Sequence, residues 1–498
     1  MRKLVALLWL TLPLHADVSL APLFSDHAVL QRDKALPIWG TGEPGEKVNV
    51  SFAGQKVSAT TDKNGQWLVV LDPLPISVTG SELKVVGQTT VTSTDVVVGD
   101  VWLCAGEMNM AFPLREAEDA ETEIARANLP LLRQLQVPPA AQSKPANRFS
   151  SNWSVASPAS AANFSAVAYF FARDLQPRLN VPIGLINASV TTGEIESWIA
   201  EKAFENDPAL SSTLPAWKKN HHAWEAELAR YHRELDAWTQ QENATRAHRQ
   251  HATAPKPNEP TVLGPTGEPS LLFNGMIAPL LPAALRGFVW YQGESNAYRS
   301  SGYGENLRLL IASWRTYFAQ GDLPFLFVQL PNFKAGNGAN TEWARFRDEQ
   351  VRGLEQPNTD MAVTIDLGSP NDLRPREKQE VGRRLALIAR KSVYGMNVDD
   401  SGPVFESAER EGTAFRLRFT HAGTGLTAED HPLFCFQIAG FDRKFYPASA
   451  KIDGESVLVS AREVISPVAV RYAWFNDPRA NLYNGAGLPA RPFRTDDW

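Results

Sequence analysis

Short apolar runs at 101–104, 183–186, 287–291, 325–328 and 361–365 alternate with stretches of helical spacing, and they limit what this chain can become. A run that is apolar at every position, not every second one, is a strand buried on both faces. Strands alternating with helices along a chain build a parallel sheet covered on both sides, an α/β domain. Ligands of such a sheet bind beyond the carboxyl ends of its strands. The turns that close these runs are therefore where chemistry is expected.

Flanking regions read differently. Residues 17–97 alternate polar and apolar positions around turn signals such as Lys63-Asn64-Gly65, which predicts a small antiparallel β-domain. The α/β domain is expected over 98–395, with an insertion near 200–270. Within it Trp217, Trp224, Leu228, Tyr231, Leu235 and Trp238 recur at near-helical spacing among charges. That is an amphipathic helix or helical hairpin whose stripe is a packing surface. Residues 252–269, rich in Pro, Gly and Thr, read as a loop. Strand signals return at 415–419, 433–438 and 457–459, giving a second β-region over 396–498 that packs on the core.

Residues 1–16 read as a secretory signal: Arg2 and Lys3, an apolar stretch at 4–14, and Ala16 before the cleavage point. An exported protein, periplasmic or extracellular, is the expectation. No later segment is apolar for long enough to span a bilayer. The net charge of −6 is spread along the chain without a basic stripe, which argues against nucleic acid. Two cysteines, Cys104 and Cys435, leave a disulfide open. No His or Cys ligands converge, so neither metal nor cofactor is expected. Fourteen tryptophans favour sugar contacts mildly, with core packing the plainer account of most of them.

The first apolar run closes on Gly106-Glu107-Met108-Asn109-Met110. Further motifs follow in order: Phe273-Asn274-Gly275-Met276, Gln292-Gly293-Glu294-Ser295-Asn296, Val381-Gly382-Arg383-Arg384-Leu385 and the closing Phe493-Arg494-Thr495-Asp496-Asp497-Trp498. With residues 23–32 and 481–489 they span the mature chain. By these motifs it resembles the sialate O-acetylesterase family of carbohydrate esterases, built on the SGNH-hydrolase fold. The resemblance implies a three-layer, flavodoxin-like parallel sheet with β-rich flanks, and hydrolysis of acetyl esters on a sugar. It also implies a carbohydrate as the ligand; oligomeric state is left unread.

Such hydrolysis needs a serine nucleophile, a histidine base, a carboxylate that orients the base, and donors for the oxyanion. The family's nucleophile turn is Gly-Gln-Ser-Asn-Met; here Met108 holds the serine position and Glu107 the glutamine position. A thioether has no proton to lose and forms no acyl-enzyme through oxygen. The second block has Thr191, Thr192 and Gly193 where a Gly-Gly stretch is expected, and β-branched residues stiffen it. The third block is intact, with Gln292, Glu294 and Asn296, whose amide is a candidate oxyanion donor. The last block should read Asp-Ile-His-Pro and reads Asp372-Leu373-Arg374-Pro375. Arginine stays protonated and cannot act as the base.

No replacement base is evident, because none of the nine histidines falls between His251 and His421. Ser295 belongs to the ordinary third block and reads as structural. The carboxylates Glu107, Glu194 and Asp372 are expected to surround Arg374 as an ion network; a carboxylate pair acting on a glycosidic bond is the weaker alternative. Glu107, Asn109, Thr191, Thr192, Gly193, Gln292 and Glu294 are the candidate binding residues. Three functions compete: a family member impaired in catalysis that binds glycan or a partner, a working esterase with an unrecognised relay, and an assembly protein with a vestigial cleft.

Overall fold

The computed structural model describes residues 17–208, 210, 213–247, 255–257, 268–334, 340–428 and 431–498. Residues 1–16, expected to be a secretory signal, and most of the 252–269 loop lie outside the described residues.

Seven strands form the central sheet: β1 (Thr90–Gly106), β2 (Leu129–Gln136), β3 (Ser154–Ala156), β4 (Ile183–Ser189), β5 (Gly287–Tyr291), β6 (Phe325–Val328) and β7 (Thr359–Ala362), in the spatial order β3-β2-β4-β1-β5-β6-β7. All pairs are parallel except β3 against β2. The five runs picked out by their apolar character are β1, β4, β5, β6 and β7. β2 escaped that pattern because Pro130, Arg133, Gln134 and Gln136 interrupt it. Two of its polar side chains find partners distant in sequence: Arg133 pairs with Asp95 at 2.6 Å and Gln136 takes the Asn187 amide at 2.8 Å, while the buried Gln134 amide makes no hydrogen bond among the described residues.

β1 has 17 residues and two characters. Its first half alternates in burial and pairs antiparallel with Ser77–Val86 of the N-terminal region. From Val96 on every residue is buried, and the strand becomes the centre of the parallel sheet. The strand thus runs unbroken through residue 97, where the sequence suggested a border between regions.

Helices α1 (Ala166–Leu179), α2 (Thr213–Ala247), α3 (Tyr303–Phe318), α4 (Glu342–Val351) and α5 (Lys378–Ile388) surround this sheet or insert into it. Trp102 meets Phe171 of α1 edge-on at 5.1 Å on one face. On the other, Trp314 of α3 packs edge-on against Phe288 at 5.4 Å and Trp290 at 5.6 Å. Trp102 pairs in register with Gly287, so Phe288, one residue on, points to the opposite helical layer. The insertion is one long helix, α2, of 35 residues; the side chains of Trp217, Trp224 and Leu228 lie outside those described.

Beyond residue 395 two four-stranded sheets follow. They are tied to the core by Asn476, whose Oδ1 accepts from Trp343 N–H at 2.8 Å and whose carbonyl accepts from Phe333 N–H at 3.1 Å. Cys104 is buried in β1 and Cys435 lies in the C-terminal region; both are free thiols.

Candidate functional site

The four sequence blocks meet at the carboxyl end of the sheet: after β1, after β4, after β5, and in the loop between β7 and α5. The turn after β1 exists because Gly106 has φ of +142°, and a Cβ there would lie 1.9 Å from the Tyr291 carbonyl of the neighbouring strand. Only glycine fits that approach. The chain then turns back: Met110 N–H and Ala111 N–H both donate to the Glu107 carbonyl, at 2.8 and 2.9 Å. Met108 sits half-exposed at its tip, between Glu107 and Asn109, which are both fully buried.

Those two neighbours face inward. Glu107 Oε1 accepts Gly293 N–H at 2.8 Å and Ser295 N–H at 3.0 Å, and its Oε2 accepts the Ser295 hydroxyl. Asn109 donates to Glu294 and to the Leu373 carbonyl at 2.9 Å, and accepts from Lys378 Nζ at 2.7 Å. Asn109 therefore stitches the Met108 turn to both the third and the last block. Lys378, at the start of α5, also donates to the Pro375 carbonyl and stands over the rings of Phe112 at 4.7 Å and Tyr291 at 5.9 Å. Sequence reasoning missed this lysine. An apolar-face reading of a helix gives no signal for a charge at a position that becomes buried.

The ion network expected around Arg374 does not form. Arg374 pairs with Glu116 at 3.1 Å, and its guanidinium lies 4.9 Å from the Phe112 ring centre. Glu107 is unavailable to it because backbone and hydroxyl donors from the third block already occupy both its oxygens. Glu194 pairs with Arg299 instead. Asp372 Oδ1 accepts the backbone N–H of Arg374 itself at 2.7 Å, which fixes the loop and not the guanidinium.

Asn296 is also committed. Its Oδ1 accepts Ile195 N–H at 2.9 Å and Gln292 Nε2 at 2.7 Å, while its Nδ2 donates to Glu196 at 3.1 Å. Gln292 further donates to the Gly193 carbonyl at 3.0 Å and accepts from Tyr303 at 2.9 Å. Glu107, Asn109, Gln292 and Glu294 thus form the framework beneath the cleft and do not line it. Thr191 and Thr192 are the exposed members of the set, and Thr192 Oγ1 lies 3.3 Å from Ser295 Oγ. Beside them is a cavity of about 520 Å³, bordered by Ala111, Asn163, Asn187, Ser189 and Leu272, with no ionisable side chain in its lining. No group of His, Cys, Asp or Glu among the described residues could hold a metal ion.

Burial dominates the electrostatics. It drives the Lys378 ammonium down to about 7, although the Glu294 and Asp372 charges oppose this. Burial, with the Glu107 carboxylate beside it, lifts Glu294 well above the ordinary carboxylate range. Desolvation favours the neutral form of each. The two have opposite effects on stability. Between about 7 and about 10 the unfolded chain holds the Lys378 proton and the native chain does not, so stability rises with pH by at most about 1.4 kcal/mol per unit. Glu294 holds its proton in the native state above the usual carboxylate value, so stability falls as pH rises through that window. Lys378→Met should remove the alkaline rise, seen as urea midpoints that no longer climb between pH 7 and pH 9.5. Parallel curves for variant and wild type would mean that the lysine is not neutral when folded.

Comparison with known proteins agrees with this layout. Residues 270–390 match the family described as carbohydrate esterase, sialic acid-specific acetylesterase. Mouse sialate O-acetylesterase is 29% identical over 95% of this chain and 93% of its own length. The human protein of that name is also 29% identical, over 95% of this chain and 91% of its own. The crystal structure of a carbohydrate acetylesterase from Xanthomonas citri superposes with a TM-score of 0.82 at 36% identity, covering 97% of this chain and all of that one (100%). A sheet, a set of turns and a chain length shared throughout mean that this chain belongs to the sialate and carbohydrate O-acetylesterase family.

Proposed function

We propose that this member of the family binds an O-acetylated glycan in the cleft beside Thr191 and Thr192 without hydrolysing it through a serine–histidine relay. One observation carries the reading: the nucleophile turn keeps its backbone and its buried supports, yet its tip is Met108, and the base position is an arginine held by Glu116. Loss of nucleophile and base together, on an otherwise intact framework, removes the chemistry and leaves the shape. The histidines agree with it: His27 bonds Asp95 in the N-terminal region, and His421 bonds Thr420 at 3.0 Å in the C-terminal one. An uncharged lining of amides and hydroxyls suits a sugar. Export rests on the Arg2, Lys3 and 4–14 pattern; no helix among the described residues is long and apolar enough to cross a membrane.

A second reading has one observation in its favour. The half-exposed Ser295 donates its hydroxyl to the Glu107 carboxylate. As a nucleophile its Oγ would bond to the acetyl carbon, its proton would pass to Glu107, and the released sugar oxygen would take that proton back. Water would then cleave the acetyl-serine. Against this, a carboxylate is a far weaker base than an imidazole.

Purified protein should release no acetate above buffer from 4-nitrophenyl acetate or from 9-O-acetyl sialic acid, while titration with acetylated sugars gives binding heat. Turnover abolished by Ser295→Ala would replace the first reading with the second. Turnover that survives both Ser295→Ala and Met108→Ala would require another nucleophile. No heat with any sugar would favour an assembly role.

A further inference from the structure

A second cavity lies at the border of the N-terminal β-region. Two segments link it to the cleft, a loop at 139–149 and a turn-rich stretch at 271–282. They are laced side by side: Gln142 N–H donates to the Leu271 carbonyl at 3.0 Å, Ala146 N–H to the Asn274 carbonyl at 2.8 Å, and Asn274 Nδ2 to the Gln142 carbonyl at 3.1 Å. At one end this pair borders the cleft, through Ala140 and Leu272. At the other it borders a cavity of about 480 Å³, through Phe149 and Leu281. Residues 271–280 are helical, and six steps of helical rise, from Leu272 on the cleft to Ala278 on the second cavity, set the two borders roughly 9–12 Å apart.

The far wall of the second cavity is built from Trp39, Trp67 and Leu68. Both indoles are fixed. Trp39 meets Phe24 edge-on at 4.7 Å, and Trp67 Nε1 donates to the Thr41 carbonyl at 3.0 Å. Three exposed side chains on the rim, Gln66, Asn147 and Arg148, make no hydrogen bond among the described residues. A pyranose ring presents an apolar C–H face and an edge of hydroxyls. The half-buried Trp39 indole, backed by the buried Trp67, beside uncommitted amide and guanidinium donors matches both. A cavity of this size at a border between regions is where ligands are commonly held.

We infer that the second cavity is a distal sugar subsite, so that the ligand is a chain of linked neutral sugars running from the cleft along 139–149 to Trp39. This rests on the proposal that the cleft holds a sugar. It adds that the ligand is an oligosaccharide and not a single acidic sugar.

The test is calorimetry on the mature full-length chain with partially O-acetylated xylo-oligosaccharides from two to six residues, and with 9-O-acetyl sialic acid. Affinity should rise with length. The double variant Gln66→Ala/Arg148→Ala should lose about tenfold for the hexaose, about 1.4 kcal/mol, and nothing for the biose. Both side chains are exposed and unbonded, so folding should be untouched. Trp39→Ala, checked by its thermal unfolding, should give the same pattern. Affinity independent of length, hexaose binding indifferent to both variants, or binding of the sialic acid ester alone would overturn the distal subsite while leaving a sugar in the cleft. No heat from any of these sugars would overturn the subsite together with the cleft reading.

Discussion

Met108→Ser combined with Arg374→His should raise the release of acetate from 4-nitrophenyl acetate about 100-fold or more over wild type, the lower range of what a positioned base supplies. Met108→Ser alone should stay near wild type, because a serine without a proton acceptor is a weak nucleophile. The reason to expect a gain is that the supports remain. Gly106 still makes the turn, Asn109 still ties it to the last block, and Asp372 still fixes the loop through the backbone N–H of residue 374. Two features set the ceiling. Asn296 already spends its amide on Glu196, and Thr191 and Thr192 stand where glycines would bring a backbone donor close. Loss of one oxyanion donor alone costs about 100- to 1000-fold. Adding Thr191→Gly should therefore increase the gain. A folded double variant as inert as wild type, with the triple variant no better, would mean that the scaffold has lost more than its two reactive side chains.

Asn109→Ala should be the most damaging single change near the cleft, lowering stability by about 2–3 kcal/mol. The side chain is fully buried and joins two ionisable groups that have few other partners. Its amide donates to Glu294, and its carbonyl accepts from Lys378. Alanine leaves each desolvated and short of one partner, with Lys378 keeping only the Pro375 carbonyl, and an unsatisfied buried group costs more than the bond it lost. Urea unfolding of variant and wild type at pH 7 measures this. A shift no larger than that of a surface substitution would show that water or local movement replaces the amide. Lys378→Met in the Asn109→Ala background should recover part of the loss, since it removes one of the two buried polar groups that the amide served.

Much of the fold is legible in the residues, and the reason is burial. A strand covered on both faces must be apolar throughout, so β1, β4, β5, β6 and β7 announce themselves. β2 does not, because it carries polar side chains of which Arg133 and Gln136 are paired with Asp95 and Asn187, partners that no local pattern reveals. The long reach of β1 is legible only in hindsight: its alternating first half and its mostly apolar, wholly buried second half read as two elements, and tertiary pairing makes them one.

At the cleft the division is sharper. Local chemistry alone fixes that Met108 cannot be a nucleophile and Arg374 cannot be a base, since no environment gives a thioether an ionisable proton or makes a guanidinium an acceptor at ordinary pH. What surrounds those residues was decided by the tertiary structure. Glu107 was expected beside Arg374 and instead turns under the third block, because Gly293 and Ser295 offer it backbone donors at close range. Arg374 takes Glu116, which nothing in its sequence neighbourhood marks. Lys378 becomes a buried amine whose proton is held only weakly because α5 begins beneath the Met108 turn. The identity of a side chain sets which reactions it can never perform; which charges meet, and which are forced to give up their protons, depends on distances that only the folded chain creates.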